Sequence, residues 1–252
     1  MKNYKITIAY DGTRYKGWQV LGDSSATIQG KLQNVLESIA GHPVEVIGSG
    51  RTDAGVHAKG QVANFHIEDS FDGEELLSRM NHYLPEDIAV LDIEEVDERF
   101  HARYHATEKT YRYRIHTGTI PNVFERKYVY TYCDSRLDTD RMKEAAKLLT
   151  GTFDFAAFCG NKKMKKSTVR TINNIEISEK ENEIVIDYTG DGFLQNMVRI
   201  LTGTLIEIGD GRKNPKDVVE ILKKKDRKLA GYTAPAQGLM LMRVEYGKMG
   251  RI

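Results

Sequence analysis

Apolar and polar positions alternate at the start of the chain. YKITIAY (4–10) keeps strand period and ends at Asp11-Gly12, a turn signal. The period then lengthens. Ile28, Leu32, Val35, Leu36 and Ile39 share one helical face, Thr27 precedes them as a cap and Gly41 follows as a stop. VEVI (44–47) predicts a short strand and QVANFHI (61–67) alternates again. GEELLSRMNHYL (73–84) has helical spacing and halts at Pro85, and IAVLDIEEV (88–96) predicts a further strand. The order is β-α-β-β-α-β, the signature of a ferredoxin-like unit.

The second half repeats this grammar with additions. KTYRYRI (109–115) and KYVYTYC (127–133) alternate, and Thr139 leads a helix through Met142, Ala146 and Leu149. TVRTINNIEIS (168–178) and EIVIDYTG (183–190) predict strands meeting at a polar turn, EKEN. FLQNMVRILTGTLIEI (193–208) places Leu194, Met197, Val198, Leu201, Leu205 and Ile208 on one helical face. KDVVEILKK (216–224) is a short helix, and GLMLMRVEY (238–246) a last strand. The fold class is therefore α+β: two ferredoxin-like halves with mainly antiparallel sheets, residues 1–104 and 105–252, joined around a central cleft.

Composition changes this picture little. The 252 residues are 40% hydrophobic and 29% charged, as in an ordinary globular protein. No apolar run approaches ~18 residues, so no membrane span is expected, and the N-terminus resembles a strand, not a signal peptide. Two cysteines, Cys133 and Cys159, make neither a metal-ligand spacing nor a disulfide framework, which fits a reducing cytoplasm. Net charge is +1, but the cations gather in 14–16, 99–114, 162–166 and 223–228. Such segregation permits a basic face on a neutral protein. Solvated helix and loop ends are the plainer account of any one cluster.

The stretch GSGRTDAGVHAKG (48–60) draws attention for its chemistry. It is long for a link between two strands, and long ordered loops are often functional. Gly48, Gly50, Gly55 and Gly60 can take positive φ, and Ala54, Gly55 and Ala58 leave room beside Asp53. Phosphate binding fits poorly, since the loop has neither GxGxxG nor GK[ST] spacing and presents a carboxylate. An aspartate can instead act as nucleophile or general base. Both tasks need it ionised, against an unperturbed pKa of about 3.9 that burial would raise. Arg51, two residues before it, can hold it charged; equally, the two can be an ion pair bracing a loop. His57 is expected to bond backbone, and no second ligand stands at metal spacing. Trp18 is expected to pack.

GSGRTDAGVHA and YDGTRYKGWQ (10–19) closely resemble the TruA family of tRNA pseudouridine synthases. HARYHATEKTYRYRI (101–115), GTFDFAAF (151–158), GDGFLQNMVRILTGTLIEIG (190–209) and YTAPAQGLML (232–241) extend the likeness over the chain. The resemblance implies an isomerase that converts uridine to pseudouridine at positions 38, 39 and 40 of the tRNA anticodon stem-loop. It implies no cofactor or metal, a tRNA partner and a homodimer. Asp53 matches the family's catalytic aspartate, Arg51 the arginine paired with it, Tyr111 the tyrosine that stacks on the target base, and Arg199 a basic residue near the active site. Where the family carries a hydroxyl residue before the last Phe of the GTFDF segment, this chain has Ala157. Arg14 and Lys16, and Lys162 and Lys163 in the 162–166 cluster, are expected to meet RNA phosphates, positioning the RNA without reading its sequence. A base inside a stem must be extruded before chemistry, and an aromatic face can hold it. Two other classes stay open: a silent RNA-binding module on the same fold, and a hydrolase using Asp53, which would usually need a second carboxylate.

Overall fold

The computed structural model describes residues 1–20, 22, 26–68, 71–134, 136–161 and 164–247. Among these are ten strands, mostly antiparallel, and five α-helices, a mixed α+β fold. No helix among them is long and apolar enough to cross a membrane. The chain divides into two compact units, Met1–Thr107 with the segment from Leu241 onward, and Glu108–Met240.

In the first unit the elements run β1 (Lys2–Tyr10), α1 (Ile28–Ala40), β2 (Ile47–Gly48), β3 (His57–Ile67), α2 (Gly73–Tyr83) and β4 (Ile88–Val96). β1 is central, antiparallel to β3 on one side and β4 on the other, and β2 pairs with β3. Tyr4, Ile6, Ile8 and Tyr10 of β1 point into the core, as the alternation requires. α1 starts where Thr27 accepts the Gly30 N–H and ends at Gly41, left-handed at φ 79°. It buries Ile28, Leu32, Val35, Leu36 and Ile39. Asp72 caps α2 through the Glu74 and Glu75 N–H groups, and α2 buries Leu76 and Met80. The strand expected over 44–47 shrinks to Ile47–Gly48. Val44 and Val46 are buried without joining a ladder, so burial alone accounts for their pattern.

The second unit holds β5 (Ala106–His116) from Glu108 onward, β6 (Tyr130–Thr131), α3 (Thr139–Leu149), β7 (Gly151–Asp154), β8 (Val169–Lys180), β9 (Glu183–Gly190), α4 (Met197–Gly209) and α5 (Asp217–Lys224). β9 lies between β5 and β8, and β7 pairs with β8, all antiparallel. The strand expected over 127–133 is only β6, parallel to Ile115 and His116 of β5, although Val129 and Tyr132 are buried. β8 runs two residues into the EKEN turn, which closes with Glu181 at φ 45°. α4 starts at Met197, not 193, because Asn196 is left-handed at φ 59° and breaks the helix before it. α3 begins at Thr139 as expected, with Asp138 as its cap.

The last strand, β10 (Leu239–Tyr246), departs from the two-halves scheme. From Leu241 it belongs to the first unit, whose boundary falls after Thr107. Val244 and Tyr246 pack against Val62, Phe100 and Ala102, and the Tyr246 hydroxyl donates to the Ala102 carbonyl at 2.8 Å.

Candidate active site

The loop around Asp53 is shorter than the glycine-rich stretch suggests. β2 ends at Gly48 and β3 begins at His57, which leaves Ser49–Val56. Its stem is hydrogen-bonded: the Ser49 N–H donates to the Val62 carbonyl at 2.7 Å, the Ser49 hydroxyl to Gln61 Oε1 at 2.7 Å, and Gln61 Nε2 to the Gly50 carbonyl at 3.3 Å. At the tip the Val56 N–H reaches the Asp53 carbonyl at 3.2 Å across Gly55, at φ 78°. Asp53 is half-buried, and Arg51 and Ala54 are exposed.

The segment Tyr10–Trp18 is the mould for this loop. Buried Thr52 carries two bonds to it: its carbonyl accepts the Trp18 N–H at 3.0 Å, and its hydroxyl meets the Tyr10 hydroxyl at 2.8 Å. Burial pushes the Tyr10 phenol up, so it stays protonated as a hydrogen-bonding group. Close contact demands glycine at several positions here, Gly17 among them, where a Cβ would stand 2.6 Å from the Thr52 carbonyl oxygen. A Cβ on Gly12 would stand 2.0 Å from the Val56 carbonyl oxygen, and one on Gly48 2.5 Å from the Trp18 ring. Of the four loop glycines, only Gly55 takes the positive φ that composition suggested for all; Gly48 and Gly60 are small because a ring and the Met242 carbonyl approach them. Trp18 packs as expected, 2% exposed and tilted against Tyr10. His57 also bonds backbone: the Gly12 N–H donates to its Nδ1 at 3.0 Å. The same nitrogen lies 3.2 Å from the Asp11 carboxylate.

Arg14 anchors the mould at its far end. Its Nε and Nη2 reach Asp87 Oδ2 at 2.9 and 2.6 Å, and the Tyr15 hydroxyl reaches Asp87 Oδ1 at 2.6 Å. Lys16 is exposed. Thr52, Tyr10, Gly12 and Asp87 thus hold this segment and loop in place, and sequence reasoning did not single them out. Only the proximity of two motifs at the ends of β1 and β3 could have suggested the first three.

In the second unit Tyr111 sits mid-β5, opposite Tyr188 on β9. Its ring is 8% exposed and meets Phe193 edge-on, centroids 5.3 Å apart at 83°. The Tyr188 hydroxyl bonds Thr202 on α4 at 2.8 Å. Arg112 forks onto Asp187 and Arg114 onto Glu183, which keeps β5 and β9 in register. Arg199, half-buried on α4, donates through Nε to the Ala234 carbonyl at 2.7 Å and through Nη1 to Asn196 at 3.0 Å. α4 also touches this loop at Gly203, where a Cβ would stand 1.9 Å from the Tyr232 carbonyl oxygen. Ala157 is fully buried. Lys162 and Lys163 lie outside the described residues.

A family model described as tRNA pseudouridine synthase matches residues 6–105 and 145–247. The chain belongs to this family. A tRNA pseudouridine synthase A of Bacillus sp. (strain KSM-64) is 48% identical over 246 residues, 98% of this chain and 100% of the relative. One from Limosilactobacillus reuteri (strain DSM 20016) is 47% identical over 252 residues, 98% of each. A tRNA pseudouridine synthase A 2 of Bacillus anthracis is 45% identical over 246 residues, again 98% of this chain and 100% of the relative. These tRNA pseudouridine synthases isomerise uridine to pseudouridine in tRNA. The matched stretches of the family model hold Asp53, Arg51, Arg14, Lys16 and Arg199. Tyr111 falls between them.

Proposed function

We propose that this chain isomerises uridine at positions 38, 39 and 40 of the tRNA anticodon stem-loop, with Asp53 as its catalytic carboxylate. The observation that carries this reading is the loop Ser49–Val56. A half-buried carboxylate rides on a backbone fixed by the Tyr10–Trp18 segment, in a chain of the tRNA pseudouridine synthase family. A carboxylate on so well supported a loop is pre-oriented, which is what positioning catalysis requires.

The target uridine flips out of the stem and stacks on Tyr111. Arg51 keeps Asp53 ionised, and Arg199 stands by the substrate. Asp53 promotes cleavage of the N1–C1′ bond, by attack at C1′ or by removing a proton from C2′. The uracil turns within the pocket, C5 bonds to C1′, and the C5 proton departs. No cofactor takes part. Arg14, Lys16, Lys162 and Lys163 meet RNA phosphates; of Arg14, only donors not turned to Asp87 serve this. The protein works as a cytoplasmic homodimer, and the first unit is ferredoxin-like.

Unmodified tRNA tritiated at C5 of uridine tests the chemistry. Wild-type protein should release tritium without added metal or cofactor, and Asp53→Asn should release it more than ~100-fold more slowly. Equal release by both would remove Asp53 from the reaction. Free uracil in place of pseudouridine would mark a hydrolase, and no release with intact tRNA binding a silent module.

A further inference from the structure

Within the second unit, a cavity of about 770 Å³ lies between the turn after α5 and the segment leading into β8. Tyr111, Phe193 and Arg199 do not line it. Segments far apart in sequence, within 154–161, 164–169 and 225–228, converge to build it. They bring together two of the basic clusters visible in the sequence. Five cations, Lys165, Lys166, Lys225, Arg227 and Lys228, face two carboxylates, Asp154 and Asp226.

The hydrogen bonds separate frame from mouth. Arg227 donates to the Gly231 carbonyl at 2.9 Å and to the Thr233 hydroxyl at 3.2 Å, holding the turn. Asp154 accepts from Thr168 at 2.5 Å and from Lys225 Nζ at 2.7 Å, and Asp226 accepts the Lys228 N–H at 2.9 Å. Lys225 occupies the left-handed position that closes α5, at φ 56°, where glycine or asparagine is the usual choice. Its ammonium ties the helix end to β7. Both carboxylates thus belong to the frame, and the exposed chains of Lys165, Lys166 and Lys228 bring positive charge to the opening.

We propose that this cavity grips consecutive phosphates of the tRNA backbone, a contact separate from the pocket for the flipped base. The inference rests on the tRNA reading above. The lining chemistry selects this ligand. Lysines are point charges suited to phosphodiesters and carry no planar fork for reading bases. Arg227, the guanidinium among them, is turned to the protein's own backbone. No aromatic side chain lines the cavity among the described residues, so bases have no surface to stack on. The space is on the scale of a ligand site, far larger than one small anion fills.

The test is tRNA binding across a salt series with K165A/K166A/K228A. Wild-type affinity should fall linearly on a log–log plot against salt, and the variant should lose about one unit of slope per lysine. Its Kd should rise at least roughly tenfold at low salt, while its single-turnover rate at saturating enzyme stays within about twofold. Replacing the same lysines by arginine should restore affinity. A control, K147A/K216A/K223A, removes equal charge from the groove between α3 and α5 and should leave tRNA affinity near wild type. Unchanged affinity and slope in the first variant would overturn the inference, even where tritium release upholds the isomerase. Equal losses in both triple variants would also overturn it, as a net-charge effect. So would inorganic phosphate binding, measured by calorimetry and lost in the variant, with tRNA affinity unmoved. A wild type that neither binds nor modifies tRNA would end both readings together.

Discussion

The loop that carries Asp53 and the strand that carries Tyr111 are held by different kinds of contact. On the Asp53 loop, beside the Thr52–Tyr10 and Ser49–Gln61 side-chain bonds, two tight contacts are to backbone atoms: the Thr52 carbonyl under the Trp18 N–H, and the Val56 carbonyl against Gly12. Around Tyr111 the neighbours are side chains: Phe193 on its edge, Tyr188 opposite, and Arg–carboxylate forks on either side. Backbone atoms cannot rotate away from an intruder, whereas side chains have other rotamers. The loop should therefore tolerate almost no change of shape, and the strand should respond to substitution in proportion.

The sharpest way to break this contrast is Gly12→Ala. The added methyl would stand 2.0 Å from the Val56 carbonyl oxygen, so the loop or the mould must shift. We expect destabilisation of about 3 kcal/mol, a Tm drop of roughly 6–12 °C, and loss of most tritium release. A variant that melts and reacts like wild type would show that the loop adapts.

On the strand, Tyr111→Ala should lower kcat/KM by ~10–100-fold through lost stacking, at about 1–3 kcal/mol per base. Tyr111→Phe should stay within about threefold, and a collapse in Phe would give the hydroxyl a role of its own. Asp187→Asn removes the partner of Arg112, a pair whose side chains are 41% and 24% exposed. It should cost no more than ~1 kcal/mol, a Tm shift of about 2–4 °C that narrows in high salt.

The mildest probe is pH. The Arg114 guanidinium holds the Glu183 carboxyl below its ordinary value of 4.5. The unfolded chain therefore takes up that proton first as pH falls. The stability due to this pair is present above about pH 4.5 and is lost as pH drops through the folded value. Thermal melts of Glu183→Gln should show a shallower acid slope than wild type, whereas the deficit of Gly12→Ala should be nearly independent of pH.

Local patterns were legible in the sequence where one segment satisfies itself. α1 begins at its Thr27 cap and ends at Gly41, and β9 keeps the bounds of its alternation, because caps and period are properties of neighbouring residues. The alternation of 44–47 and 127–133 misled because valines and tyrosines bury themselves without a ladder partner. The fork from Arg14 to Asp87 spans 73 residues, and nothing local marks its acceptor. At the site, Asp53 stood out by residue type and surroundings. The reasons for its supports did not, since the crowding at Gly12 depends on Val56 and that at Gly48 on Trp18. The glycines suggested flexible φ, and contact distance is the stronger reason at Gly48 and Gly60.

The return of β10 to the first unit has a consequence for biosynthesis. Val244 and Tyr246 cover Val62, Phe100 and Ala102, yet they are made only after the whole second unit, Glu108–Met240, has been translated. At ~5–20 residues per second, the ribosome takes roughly 7–27 s to make that unit. For that interval the nascent first unit waits with one face of its core uncovered. Strands β5 to β9 and helices α3 to α5 are all made before β10 emerges, whereas the first unit still lacks the strand that covers Val62, Phe100 and Ala102.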